Sequence, residues 1–256
     1  MIPSALDHVQ DIARSGRVAV FLDYDGTLTP IVSHPENASL SDPMQKALRE
    51  LVARAPVAVL SGRELDDVRR RIDIDGIVYA GSHGFDIDGP RGLRRQAATE
   101  FLPKLAIAEN ELHEALDGIP GARVERKRFS IAAHYRNVKE NDVPAMERAV
   151  SYVGARHPEL RRIDGKKVYE LLPRIGWDKG KAMLWLLETL DLKSNDVRPI
   201  YIGDDSTDED AFRALEQSGT GILVSEQVQP TAARYLLKDP REVEHFLCEL
   251  AARLVQ

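Results

Sequence analysis

The chain has 256 residues, 43% hydrophobic and 30% charged, which is typical of a globular protein with one large domain or two small ones. No apolar run approaches the ~20 residues that a membrane-spanning helix needs, so we expect no membrane partner. The only cysteine, Cys248, excludes an intramolecular disulfide. Because the first residues also lack the features of a secretory signal, we expect a cytoplasmic protein.

Charge is distributed unevenly along the chain. The formal net charge is −6, yet residues 121–167 contain twelve Lys and Arg against six Asp and Glu. A basic segment in an acidic protein favours an anionic ligand, although a solvated charged surface also explains it. Acidic residues are interleaved with the basic ones, so we expect no nucleic-acid partner.

The first part of the chain alternates predicted strands and helices. Short apolar runs predict buried strands at 17–23, 56–63 and 76–84. Between them, helical periodicity and a Ser-Asp-Pro start predict helices at 41–55 and 64–72. This βαβα order favours a doubly wound parallel sheet.

The pattern changes near Asp88-Gly89, which predicts a hairpin turn. A helix at 97–116, two strands, a helix at 143–156 and a hairpin around Asp164-Gly165 follow, which together describe an α+β module. After Pro173 the alternation of helix and strand returns. We therefore predict an α/β core of residues 1–87 and 174–256, interrupted by an inserted α+β domain of residues 88–173.

Polar residues follow three of the core strands. Asp23, Ser61 and the pair Asp204-Asp205 each come directly after an apolar run, and Lys179 begins the helix before the last of these strands. Ligands of open α/β sheets bind at the carboxyl ends of the strands, so these side chains are predicted to share one crevice.

The two carboxylates of "DYDGT" are the candidate reactive groups of this predicted crevice. Asp23 and Asp25 are two residues apart, and Gly26 permits the sharp exit from the strand. A single aspartate here is most often a turn former or a helix cap. Several converging carboxylates would repel one another unless a hard cation such as Mg²⁺ were bound, and this arrangement suits phosphoryl transfer through an aspartate nucleophile.

Four ordered motifs add a family resemblance. "DYDGTLTP", "LSGR", "WDKGKA" and "GDDSTDEDAF" resemble the motifs of haloacid dehalogenase-type (HAD) phosphohydrolases. With "GSHGFDI" and "ERKRFS…HYR", the wording is most similar to the trehalose-6-phosphate phosphatase family. The resemblance implies a Rossmann-like HAD core with an inserted αββαββ (C2B-type) cap that closes over the site. It also implies Mg²⁺-dependent hydrolysis of trehalose 6-phosphate to trehalose and phosphate.

The same resemblance implies roles for individual residues. Asp23 would attack the phosphoryl group, Asp25 would protonate the leaving sugar oxygen and then activate water, and Ser61 and Lys179 would hold the phosphoryl oxygens. Mg²⁺ would be bound by Asp23, the Asp25 backbone carbonyl and Asp204. Asp205 and Asp208 would be further ligands, direct or through water, although "STDEDAF" is also a typical helix start.

Substrate-binding residues are predicted in both domains. In the core they are Gly26, Thr27, Gly62, Arg63, Ser82, His83 and Gly84, and in the insert Arg123, Glu125, Lys127, His134, Arg136, Lys166 and Glu170. The three that we favour in the insert are Glu125, Lys127 and Glu170, since a disaccharide phosphate needs charged hydrogen-bonding partners. A solvated surface is the simpler explanation for any one of them.

Other functions stay open at this point. The core motifs also fit a HAD phosphatase for glucosylglycerate, mannosylglycerate or sucrose phosphate. A receiver-like domain that keeps a phosphoryl group on aspartate, or a catalytically silent sugar-phosphate sensor, would also place Asp and Lys at strand ends. Asp25 and the long insert argue against the receiver, and the intact set of catalytic residue types argues against the sensor. The expected partner is a small sugar phosphate, bound by a monomer.

Overall fold

The structure, a computed structural model, describes residues 2–14, 16–32, 34–165, 167–194, 196–227 and 229–254. The chain forms two compact units, a core unit of Met1–Arg95 with Trp177–Gln256 and an insert unit of Gln96–Gly176. Within the described residues no helix is both long and apolar enough to cross a membrane.

The strands and helices are numbered in chain order. The strands are β1 (Arg17–Leu22), β2 (Val57–Leu60), β3 (Val78–Gly81), β4 (Asp86–Asp88), β5 (Arg94–Gln96), β6 (Arg123–Lys127), β7 (Ser130–His134), β8 (Leu160–Gly165), β9 (Val168–Pro173), β10 (Val197–Gly203), β11 (Thr220–Val224) and β12 (Tyr235–Leu237). The α-helices are α1 (Val9–Ala13), α2 (Asp42–Val52), α3 (Leu65–Ile72), α4 (Leu102–Leu116), α5 (Val143–Arg156), α6 (Lys179–Thr189), α7 (Glu209–Leu215) and α8 (Pro240–Arg253).

An eight-stranded sheet in the order β12-β11-β10-β1-β2-β3-β4-β5 organises the core unit. The strands from β12 to β3 pair in parallel, and β4 pairs antiparallel with β3. Leu22, the last residue of β1, is in register with Ile202 of β10 and Val59 of β2. The carboxyl ends of these three strands therefore lie side by side.

Alternation along β1 divides the core between the two faces of this sheet. Val18, Val20 and Leu22 pack on the face covered by α1, α2, α3 and α8. Ala19 and Phe21 pack on the opposite face with α6 and α7. A strand buried on both faces must be apolar at every position, which explains the uninterrupted run "VAVFL".

The insert unit is a four-stranded antiparallel sheet in the order β6-β7-β9-β8. Its two helices, α4 and α5, bury Leu112 and Val150 against Ile131 and Leu171 on one face of the sheet. The element order α4-β6-β7-α5-β8-β9 is the predicted αββαββ pattern. The predicted fold class, a doubly wound parallel-sheet core with an α+β insert, is confirmed.

Several local details differ from the sequence-based expectation. Residues 88–95, assigned to the insert, fall in the core unit because β4 and β5 continue the large sheet. Helix α4 begins at Leu102 rather than near 97, since Ala98 has a left-handed φ of 65° and a 3₁₀ turn follows it. Asp164 pairs with Tyr169 and Gly165 with Val168, so these two residues belong to strand β8 and not to the turn of the second hairpin, as had been predicted. The division into a catalytic domain and a cap stays a prediction.

Candidate active site

Asp23 is the first residue beyond β1, and it is 5% exposed. Its backbone N–H donates to the Ile202 carbonyl at 2.9 Å, which continues the pairing of β1 with β10 past the strand end. Asp23 Oδ1 accepts a hydrogen bond from Lys179 Nζ at 2.7 Å. The register of the two strands therefore places this carboxylate where the sequence predicted a shared crevice.

Lys179 is the first residue of α6, and its side chain is buried. The helix start is fixed by Asp178, whose Oδ1 accepts from the Lys181 backbone N–H at 2.8 Å. Lys179 Nζ donates to both Asp23 Oδ1 and Asp208 Oδ1, each at 2.7 Å. One buried ammonium group thus bridges two buried carboxylates.

Asp208 is fully buried and accepts four hydrogen bonds. Oδ1 accepts from Lys179 Nζ and from the Tyr201 hydroxyl, both at 2.7 Å. Oδ2 accepts from the backbone N–H groups of Asp204 and Asp205, at 3.0 and 3.1 Å. Asp208 therefore joins Lys179 to the loop that follows β10.

Burial and mutual charge set the pKa values of this cluster. Burial raises the pKa of both Asp23 and Asp208, and Lys179 opposes that increase. Burial alone would lower the pKa of Lys179, but the carboxylates of Asp208 and Asp23 raise it well above its ordinary value. Lys179 is therefore a permanent cation at neutral pH, and it supplies a fixed positive charge beside Asp23.

Asp204 and Asp205 follow β10 at the same edge of the sheet. Carboxylate oxygens of Asp23, Asp204 and Asp208 lie within 4.8 Å of one another, a spacing that one metal ion can span. Asp205 Oδ1 accepts from the N–H and the hydroxyl of Thr207 at 2.8 and 2.7 Å. Burial would raise the pKa of Asp205, but Lys179 and the Thr207 hydrogen bonds lower it overall.

Gly26 and Thr27 form the exit from this strand end. Gly26 has φ of 91°, and a Cβ at this position would lie 2.1 Å from Asp204 Oδ2. The residue must therefore be glycine both for its backbone conformation and for the close approach of Asp204. The Thr27 hydroxyl is buried, and it has no hydrogen-bond partner among the described residues.

Asp25 faces a different partner from Asp23. Its side chain is 42% exposed, and both of its carboxylate oxygens accept hydrogen bonds from Arg63 at 2.7 Å. Arg63 was predicted to bind substrate, and in the structure its guanidinium donates to the predicted proton donor, Asp25.

Ser61 follows β2 and is buried. Its hydroxyl oxygen accepts from the Arg63 backbone N–H at 3.1 Å, and its backbone carbonyl accepts from the His83 N–H at 2.8 Å. The imidazole of His83 approaches Gly62 so closely that a Cβ there would lie 2.8 Å from Cε1. The residues after β2 and β3 therefore form one packed turn cluster.

The turn Ser82-His83-Gly84 contains three consecutive left-handed residues, with φ of 50°, 57° and 88°. A non-glycine residue in this conformation is strained and is retained where surrounding contacts impose it. Here the Ser82 N–H donates to the Arg63 carbonyl at 2.6 Å, and Trp177 Nε1 donates to the Gly84 carbonyl at 2.8 Å. All three predicted core residues of this turn are thus held beside Ser61.

The insert unit gathers a separate polar cluster on the sheet face opposite α4 and α5. Glu125, Ala132 and Glu170 are neighbours across β6, β7 and β9. Glu125 Oε2 lies 2.9 Å from His134 Nε2, and this hydrogen bond lowers the pKa of Glu125. Lys127 Nζ donates to Glu170 Oε1 at 3.0 Å.

The remaining predicted residues of the insert differ in their exposure. Arg123 is opposite His134 in register but is exposed, and Arg136 lies beyond the end of β7 and is also exposed. Lys166 lies outside the described residues. Ser130, which sequence reasoning did not select, donates its hydroxyl hydrogen bond to Glu170 Oε1.

A family profile described as Trehalose-phosphatase matches residues 21–241. The chain belongs to the trehalose-phosphatase family. It is therefore an enzyme of the phosphoric monoester hydrolase class, and the resemblance drawn from the four motifs is confirmed.

Named relatives and solved structures show which known proteins this trehalose-phosphatase family member resembles. It is 44% identical over 264 residues to "Probable trehalose-phosphate phosphatase D" of Arabidopsis thaliana, covering 97% of this chain and 72% of the relative. A solved Candida albicans trehalose-6-phosphate phosphatase C-terminal domain aligns with a TM-score of 0.86 at 22% identity, covering 100% and 99% of the two chains. A haloacid dehalogenase-like hydrolase from Bacteroides thetaiotaomicron aligns with a TM-score of 0.65 at 17% identity, covering 90% and 98%. The two solved structures show the fold.

Tyr201 is a residue of the candidate site in the core unit that was not predicted from the sequence. It lies in the middle of β10, is fully buried and packs edge-on against Phe212. Its hydroxyl donates to Asp208 Oδ1 at 2.7 Å. A tyrosine in an apolar strand is usually interpreted as a core residue. The sequence indicated a further role only in that a buried hydroxyl usually needs a hydrogen-bond partner.

Proposed function

We propose that the chain hydrolyses trehalose 6-phosphate to trehalose and phosphate in a Mg²⁺-dependent reaction through an aspartyl-phosphate on Asp23. The observation that carries the proposal is the buried Lys179 bridge between Asp23 and Asp208 at the carboxyl edge of the sheet. Family membership supports the substrate, since the Arabidopsis relative is named for trehalose phosphate.

The donor set fits Mg²⁺. This ion takes oxygen ligands, and three carboxylates offer oxygens within 4.8 Å of one another. Because Asp208 already accepts four hydrogen bonds, we assign Asp23, Asp204 and the Asp25 backbone carbonyl as the protein ligands. When bound, Mg²⁺ supplies positive charge that offsets the charge of these carboxylates and of the phosphoryl oxygens.

Asp23 is proposed as the nucleophile. One of its oxygens attacks phosphorus, the bond from phosphorus to the sugar oxygen breaks, and the phosphoryl group stays on Asp23. Lys179 holds the other oxygen of Asp23 in place and keeps a positive charge beside the phosphoryl group. The Ser61 hydroxyl, whose oxygen accepts from the Arg63 N–H, has its own hydrogen available for a phosphoryl oxygen.

Asp25 is proposed to move the proton. It donates a proton to the leaving sugar oxygen in the first step and accepts one from the water that attacks the aspartyl-phosphate in the second. Asp25 is the carboxylate suited to this role, because it is more exposed than Asp23 and is not bound to Lys179. Asp23 is thereby regenerated and phosphate is released.

The insert cluster is proposed to bind the sugar. Lys127, Glu170, Glu125 and His134 present charged donors and acceptors on one sheet face, and sugar hydroxyls are recognised by such groups. Their existing pairings fix the orientation of each side chain before a ligand arrives, which reduces the entropy lost on binding.

Phosphate release from a panel of sugar phosphates tests the proposal. Trehalose 6-phosphate should be hydrolysed faster than sucrose, glucosylglycerate and mannosylglycerate phosphates, with Mg²⁺ and not with a chelator. Asp23→Asn should abolish turnover, whereas the matched surface variant Asp42→Asn on α2 should not. Faster hydrolysis of another sugar phosphate would overturn the substrate, turnover in chelator would overturn the metal, and activity of Asp23→Asn would overturn the nucleophile.

A further inference from the structure

Nearly all the N–H donors of the Arg63 guanidinium form hydrogen bonds with groups of the protein. Nε and Nη2 donate to the two carboxylate oxygens of Asp25, each at 2.7 Å. Nη1 donates to Asp67 Oδ2 at 2.9 Å, and Nη2 also donates to the Pro35 carbonyl at 2.8 Å. These bonds use all but one of the N–H donors of a guanidinium, and the side chain is 10% exposed. This geometry favours a role other than the substrate contact predicted from the sequence.

Arg63 is itself held rigidly. Asp67, on α3, accepts from Arg71 Nε at 2.8 Å as well as from Arg63, and these two arginines lower its pKa although burial would raise it. The Arg63 guanidinium lies 5.2 Å from the centroid of the Tyr24 ring. Arg71 also donates to the Ala38 carbonyl at 2.6 Å, which ties the loop after the first motif to α3. The position of the Arg63 guanidinium is therefore fixed by its other contacts, and Arg63 in turn holds the Asp25 carboxylate.

An unheld Asp25 would be free to rotate. Its side chain is 42% exposed and lies past the end of β1, and both of its carboxylate oxygens are held by Arg63. A two-point contact with a planar guanidinium fixes both oxygens of a carboxylate, and a single ammonium cannot do so. Proton transfer depends on hydrogen-bond reach to the leaving oxygen, so the direction of this carboxylate controls the rate.

We propose that Arg63 is a positioning residue that sets the orientation of the Asp25 carboxylate for proton transfer to the leaving sugar oxygen. This inference rests on the proposed function. Arg63 acts on Asp25 alone and not on the substrate, so its loss reduces the steps in which Asp25 moves a proton and leaves substrate affinity unchanged.

The central variant is Arg63→Lys, which keeps the charge and removes the two-point contact. We expect kcat for trehalose 6-phosphate to fall roughly 100-fold with KM unchanged, as for a misplaced catalytic group. With a 2,4-dinitrophenyl phosphate probe, whose phenolate leaves without a proton, the first-turnover release by excess enzyme should be unchanged. Arg69→Lys is the matched control, since Arg69 lies on α3, which begins two residues after Arg63, but donates to Asp88 at 2.9 Å, and it should behave as the wild type.

A double-mutant cycle with Asp25→Asn tests whether Arg63 affects catalysis through Asp25. If Arg63 works through Asp25, Arg63→Lys has no further effect on steady-state hydrolysis of the probe in the Asp25→Asn background. Arg63→Gln provides a second variant should the lysine variant fail to fold, which circular dichroism would show. A raised KM with kcat retained would make Arg63 a substrate ligand, and additive losses would show that it acts elsewhere; either result overturns the inference. Inactivity of the wild type, or activity of Asp23→Asn, would instead overturn the proposed function.

Discussion

Asp208→Asn changes the hydrogen bonding and the charge of one buried side chain, with almost no change of shape. Asp208 accepts four hydrogen bonds, two on each carboxylate oxygen. An asparagine has one acceptor oxygen and one donor nitrogen, so either orientation turns an NH₂ group toward two donors. Each buried donor left unsatisfied costs about 1–3 kcal/mol, or about 2–6 kcal/mol for two. Burial raises the pKa of Asp208, so removal of its charge offsets part of this cost, and we expect a net loss of about 3 kcal/mol.

Urea unfolding followed by tryptophan fluorescence measures this loss in the core unit, because both tryptophans, Trp177 and Trp185, belong to it. A loss of about 3 kcal/mol corresponds to a fall in Tm of roughly 6–12 °C for a chain of this size. The control is Asp210→Asn, which weakens a half-exposed pair with Arg213 and should change stability by less than about 0.5 kcal/mol. An Asp208→Asn variant within about 1 kcal/mol of the wild type would refute the assignment of Asp208 as the buried junction of this site.

Three further predictions follow from other contacts. Tyr201→Phe should lower stability by about 1 kcal/mol and also reduce kcat, whereas Tyr79→Phe, which removes a buried hydroxyl bound to backbone, should lower stability alone; equal kinetics would refute the role of Tyr201. Burial raises the pKa of Asp23 above its ordinary 3.8, so its contribution to stability is full below pH 3.8 and is lost as the pH rises through the raised value. In chelator, Asp23→Asn should therefore be about 1 kcal/mol more stable than the wild type at pH 7, with a difference that vanishes toward pH 4; a less stable variant in urea titrations would contradict this sign. Lys127→Met should raise KM for trehalose 6-phosphate about tenfold and leave that for an aryl phosphate unchanged, and equal effects on both substrates would argue against sugar recognition by Lys127.

The positions of the site residues were predictable where they depend on strand register. Asp23 and Ser61 follow apolar runs, and parallel strands bring their carboxyl ends to one edge, so the neighbouring positions of these two strand ends could be predicted from the sequence. The start of α6 at Lys179 was also visible, because Asp178 is a typical capping residue. The same reasoning gave the αββαββ order of the insert from alternation and turn residues alone.

Pairings that depend on loop geometry were not predictable. Arg63 contacts Asp25 across a separation of thirty-eight residues, through a turn whose course is set by tertiary contacts. Tyr201 has an ordinary place in an apolar strand, and no pattern shows which buried group its hydroxyl reaches. The second hairpin was misplaced because Asp164-Gly165 is a strong turn signal, yet both residues pair with β9 and belong to strand β8.

Chemical trapping of the intermediate shows directly whether Asp23 is the nucleophile. Wild-type enzyme and Asp25→Asn would be mixed with trehalose 6-phosphate and Mg²⁺, quenched in acid and mapped by peptide mass spectrometry. We expect one phosphoryl group on Asp23, accumulating to a higher level in Asp25→Asn because water activation is impaired. Phosphate release with no label on Asp23 in either protein, or a label on another residue, would contradict it.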